Sequence, residues 1–116
     1  MHIATARDFF ATLASRGHDP RLVDASGIWQ FDVDGAGTWQ LKVDHGAFTV
    51  EEGTRGTPNS EIKISEAELV KLANGEGHEN MQTALLRGVI RARGDFRFAQ
   101  KLWAIVPFPD EWRTAS

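Results

Sequence analysis

The chain has no cysteine among its 116 residues, which removes disulfides, thiol nucleophiles and thiolate metal sites together. That lack fits a reducing compartment. No run approaches the roughly 18 apolar residues of a membrane-spanning helix. The opening residues lack the charged and apolar regions of a secretory signal. Positive charge is not in surplus either: 13 Lys and Arg stand against 16 Asp and Glu, for a net charge of −3. No global field therefore favours DNA, RNA or an anionic membrane. No internal repeat or low-complexity segment is present. The expectation is one soluble, cytoplasmic domain spanning residues 1–116, long enough for a genuine core.

Catalytic and metal-binding patterns are missing as well. His2, His18, His45 and His78 are scattered without i, i+4 or His-x-His spacing, so neither a metal nor a cofactor is expected. His78 beside Glu76 and Glu79 reads as a polar loop. Gly53-Thr54-Arg55-Gly56 lacks the Lys and Ser/Thr of a phosphate cradle.

What is present is apolar periodicity. Residues 4–15 place Ala6, Phe9, Phe10, Leu13 and Ala14 on one side of a helix that Gly17 and Pro20 stop. Trp29, Phe31 and Val33 alternate with Gln30 and Asp32, and Trp39, Leu41 and Val43 with Gln40 and Lys42. Asp34-Gly35-Ala36-Gly37 and Asp44-His45-Gly46 are turn sequences between these strands and a third, which carries Phe48 and Val50. After a polar loop at residues 51–59, Ile62 and Ile64 mark a fourth strand. The polar alternate positions imply a sheet covered on one face only. Ser65 and Glu68 form a capping box for a helix carrying Leu69, Leu72 and Ala73 that stops at Asn74-Gly75. A short helix at residues 80–87 and a strand at residues 89–93 follow. Residues 95–106 read as a last helix whose apolar arc of roughly 180° exceeds the usual 100° stripe. Residues 107–116 are expected to be a docking tail.

Several segments resemble the sterol-carrier-protein-2 (sterol-binding) domain family. They are Gly27-Ile28-Trp29-Gln30-Phe31 through Trp39-Gln40-Leu41-Lys42-Val43, then Ile62-Lys63-Ile64-Ser65 with Glu68-Leu69 and Leu72-Ala73-Asn74-Gly75. The last is Leu86-Arg87-Gly88-Val89-Ile90-Arg91-Ala92-Arg93-Gly94-Asp95, leading into Lys101-Leu102. The loop at residues 75–80 is longer and more acidic than the family's usual turn, and Thr114-Ala115-Ser116 is not a peroxisomal ending. The resemblance is to a bacterial-type, stand-alone member. It implies an α+β fold with a five-stranded, mostly antiparallel sheet, helices packed on one face, and an enclosed hydrophobic tunnel for fatty acyl, phospholipid or sterol-like ligands.

On this reading the lining is Phe9, Phe10, Leu13, Leu72, Met81, Leu85, Leu102, Trp103 and Val106, with Phe108 and Trp112 near a mouth. Expected partners are a hydrophobic ligand and, transiently, a membrane, with no nucleic acid. Arg87, Arg91, Arg93, Arg97 and Lys101 form a basic cluster, either a headgroup dock or a solvated face. In the alternative reading, the apolar surface binds a partner protein, an enzyme or a second copy as a homodimer. An enzyme of this fold would instead need polar groups such as Glu76, His78 or Asp95 at the cavity.

Overall fold

In the computed structural model, residues 3–54, 56–75 and 81–106 are described, the side chains of Met81, Gln82 and Trp103 excepted. The strands β1 (Ser26–Asp34), β2 (Gly37–Asp44), β3 (Ala47–Glu52), β4 (Ser60–Ser65) and β5 (Ile90–Gly94) form one sheet in the order β3-β2-β1-β4-β5. All neighbours pair antiparallel except β1 and β4, which run parallel. The β2–β3 connection is a two-residue turn, with φ of 51° at His45 and 95° at Gly46. Positive φ at both positions gives the turn a twist that matches the flanking strands. Alternation sends Trp39, Phe31, Ile62 and Ala92 to one face as a continuous cross-strand row.

Helices α1 (Ala6–Arg16), α2 (Glu66–Ala73), α3 (Met81–Leu86) and α4 (Phe96–Lys101) belong to the layer on that face. α1 starts at Ala6 because Thr5 and Asp8 form a reciprocal capping box, and it ends where Gly17 turns left-handed. The box expected at α2 is only half made. Ser65 accepts from the Glu68 N–H, but one Glu68 carboxylate oxygen is buried without a partner among the described residues. Ser65 is also the last residue of β4, in register with Asp34, so its backbone belongs to the strand. The Asn74 side chain ties down the N-terminal segment, accepting from the Ile3 N–H at 2.9 Å and donating to the Ile3 carbonyl at 2.8 Å.

The last helix is much shorter than residues 95–106. Asp95 caps α4, which tightens after six residues into a 3-10 turn at Leu102–Ala104 and ends at Ile105 with φ −122°. A 3-10 turn advances each residue by about 120° rather than 100°, so the single wide arc does not exist. Phe98, Ala99, Leu102, Ile105 and Val106 are buried, while Phe96 is 50% exposed.

The other sheet face is partly covered too. Gln40 donates to Gly56 O at 2.7 Å and accepts from Gly56 N at 2.9 Å, while also donating to Gln30 Oε1 at 3.0 Å. A loop backbone thus adds to the edge of a side-chain amide, and Gln30 and Gln40 end up only 8% and 5% exposed. Gln40→Leu is expected to cost about 1–3 kcal/mol by orphaning these groups. Urea unfolding will show a lower midpoint at an unchanged slope.

Candidate functional site

The layer between sheet and helices is built from aromatic and aliphatic groups. From α1, Phe10 stacks on Trp39 at 4.6 Å between ring centroids and meets Phe31 edge-on at 5.3 Å. Phe9 stands edge-on to Phe10 at 4.9 Å and tilts against Phe31 at 5.9 Å. At the other side Phe98 of α4 stacks on Trp29 at 4.4 Å, and the Trp29 Nε1–H donates to the Phe98 carbonyl at 2.9 Å. Such pairs add specific geometry to area burial.

Six of the expected lining residues, Phe9, Phe10, Leu13, Leu72, Leu102 and Val106, lie in one buried cluster, and Leu85 packs against it half-buried. Met81 opens α3 and Trp103 sits in the 3-10 turn, both with side chains outside the description; Phe108 and Trp112 lie outside the described residues altogether. The sequence reading did not count the sheet's aromatic floor, Trp29, Phe31 and Trp39, among the lining. The signal was there: period-two alternation already turned all three inward.

Buried polar groups do not disturb this layer. Ser60, next to Trp29 in register, donates its hydroxyl to the Asp95 carbonyl. Thr12 donates to Asp8 O at 2.9 Å, and Asp19 accepts from the backbone and guanidinium of Arg21, each at 2.8 Å. With these groups satisfied locally, the interior is chemically an apolar wall, apart from the Glu68 carboxylate oxygen on α2 left unpartnered among the described residues. Two depressions bounded by described residues lie on the outside. One of about 590 Å³ sits at the β1–β2 turn, by Asp32, Asp34, Thr38 and Lys63. Another of about 240 Å³ lies over the outer sheet face, by Ile28, Gln40, Lys42 and Glu51. Neither is the tunnel between the layers that the resemblance implies.

Titratable groups are dispersed. Among the described residues no three His, Asp or Glu gather as a metal site. His18 bridges β3 at Ala47, and His45 Nδ1 meets Asp44 Oδ1 at 2.6 Å in an exposed turn. Glu76, His78 and Glu79 lie outside the described residues. The basic cluster splits: Arg91 and Arg93 point away from the core, whereas Arg97 and Lys101 belong to α4 on the core side of the sheet.

A model of the SCP-2 sterol transfer family matches residues 8–107. Among solved structures, the sec-alkylsulfatase Pisa1 from Pseudomonas sp. superposes with a TM-score of 0.72 at 18% identity, over 89% of this chain and 16% of the sulfatase. The chain therefore spans a small part of that enzyme. The sterol carrier protein domain 2 of Helicoverpa armigera is 29% identical over 81% of this chain and 72% of its own, with a TM-score of 0.59. The palmitated SCP2L2 of Aedes aegypti is 22% identical over 78% of this chain and 87% of its own, with a TM-score of 0.56. Curated protein sequences yield no match.

Proposed function

Because the chain belongs to the SCP-2 sterol transfer family, we propose that it is a non-catalytic, cytoplasmic carrier that binds a fatty acyl, phospholipid or sterol-like ligand between sheet and helices. The observation that carries this reading is the continuous apolar layer in which Phe9, Phe10, Leu13, Leu72, Leu102 and Val106 converge. Leu85, Met81 and Trp103 extend that lining in the proposal, and Phe108 and Trp112 stand at its mouth. The palmitated state of the Aedes aegypti neighbour supports an acyl chain as occupant.

An apolar wall holds a ligand by area, at about 0.8 kcal/mol per buried methylene. Over a fatty-acid series, Kd is then expected to fall about fourfold per added methylene until the space is filled. Displacement of a fluorescent hydrophobic probe, with mass spectrometry of co-purifying lipid, measures this. A chain-length series with flat affinity and no extracted lipid would overturn the carrier reading. Leu102→Trp is expected to weaken uptake about tenfold or more by filling the interior, at a stability cost of about 1–3 kcal/mol.

A second reading is that the domain serves as an accessory or dimerisation module. Its support is the Pisa1 match, which covers only 16% of a much longer enzyme. A dimer by sedimentation, with no saturable probe uptake, would favour it.

A further inference from the structure

Charge is distributed unevenly along this acidic chain. Residues 87–101 hold five of its 13 Lys and Arg but only one of its 16 Asp and Glu. Among the described residues, the strand inside this stretch, β5, forms an edge of the sheet. Arg91 and Arg93 are exposed on the side opposite Ile90 and Ala92, and Arg97 is exposed on α4 across the edge. Cations therefore fan out to both sides of one sheet edge. Apolar groups stand at its two ends: Leu86 is 81% exposed just before β5 and Phe96 50% just after it.

Edge protection is the ordinary reason for charge on an outer strand, and it falls short here. Lys63 lies on the inner strand β4, in register with Arg91 on one side and Asp32 on the other, and Glu61 stands opposite Arg93. Cross-strand pairs of opposite charge stabilise a sheet, but they do not account for Arg97, which lies on α4. Nor does a guard require exposed Leu and Phe, which promote contact. The nearby acids are engaged with neutral donors: Glu61 accepts from Gln30, Asp32 from Thr38 and Asp95 from the Phe98 N–H. Among the described residues Lys63, Arg91, Arg93 and Arg97 make no ion pair.

We propose that this edge docks on the surface of an anionic phospholipid bilayer. Leu86 and Phe96 enter the boundary between headgroups and acyl chains, and Arg91, Arg93 and Arg97, with Lys63, meet headgroup phosphates. Apolar groups interleaved with cations suit that boundary, where buried apolar area and attraction to anionic lipid act together. The choice of a bilayer over an acidic protein rests on the carrier reading, because a lipid carrier must load and unload at a membrane.

The test uses the full chain in flotation assays with phosphatidylcholine vesicles, with and without phosphatidylserine. Binding is expected only with phosphatidylserine and is expected to fall as salt screens the attraction. R91Q with R93Q should weaken partitioning about 25-fold, at about fivefold per charge near the surface. L86S with F96S should weaken it further, while Arg7→Gln, on α1, leaves it unchanged. Equal binding to neutral vesicles, or indifference to R91Q with R93Q in a folded protein, would overturn the proposal. So would a chain that ignores vesicles yet self-associates through this edge. Probe uptake in vesicle-free solution should be unaffected by R91Q with R93Q, so loss of docking and loss of ligand binding are separately visible.

Discussion

Trp29→Ala is expected to remove about 3–5 kcal/mol of stability, the usual cost of truncating a large buried aromatic. Trp29 is fully buried in β1, with its ring on Phe98 and its N–H on the Phe98 carbonyl. Truncation empties the space beneath α4, loses a stacked pair and leaves that carbonyl without its donor. Trp29→Phe separates these effects, because an aromatic ring remains while the donor is lost. It should cost about 1–3 kcal/mol, the range for an orphaned buried polar group. Against a total stability of about 5–15 kcal/mol for an ordinary domain, the alanine variant is severely weakened. Urea unfolding followed by far-ultraviolet circular dichroism measures both. If Trp29→Ala falls within about 1 kcal/mol of the parent, a typical value for an unremarkable substitution, then Trp29 is not the anchor of α4.

The strands were legible because the side-chain period in a sheet is two, so a register slip would turn every apolar group of Trp29, Phe31 and Val33 outward. Helix boundaries were legible where caps are local: Ser65 at α2 and Gly17 after α1 both stand where a side-chain oxygen or a left-handed residue is required. The missing parts are non-local. Nothing within residues 60–65 marks β4 as parallel to β1, since that pairing closes only after two intervening strands. Gln30 and Gln40 read as solvent-facing by alternation, yet Gly56 folds back on Gln40 from 16 residues away. The α4 segment looked long because a helical wheel assumes a constant 100° step, which the 3-10 turn at Leu102 breaks. For the site, Phe9, Phe10 and Leu13 were identified as inward. Burial against protein and burial against a ligand select the same side chains, so periodicity could not separate floor from lining. The Thr5–Asp8 box was also within reach, since Thr-x-x-Asp before an apolar run carries the same chemistry as the Ser65 signal.

Gly94→Ala is the other substitution with a large expected effect, and Gly35 supplies its control. Both glycines have a φ of +89°, a conformation that carries strain of about 1–3 kcal/mol for a residue with a Cβ. Around Gly35 nothing lies within 4 Å of an added Cβ, so Gly35→Ala reports that strain alone. At Gly94 the added Cβ would stand 2.5 Å from Asn59 O and 3.3 Å from Ser60 Cα, backbone atoms that no rotamer change moves away. The same Asn59 carbonyl accepts from the Asp95 N–H at 2.8 Å, and the Asn59 side chain accepts from Ile28 N–H at 2.9 Å. Relief of the clash must therefore shift the start of β4 against β5 and disturb the residue that caps α4. The overpacking adds about 1–3 kcal/mol, which puts Gly94→Ala about 2–6 kcal/mol below the parent. The difference between the two alanine variants isolates the close approach at Asn59. Equal losses at both positions would mean that the backbones are free to part there, and that α4 takes its place over the apolar layer from Trp29 and Phe98 instead.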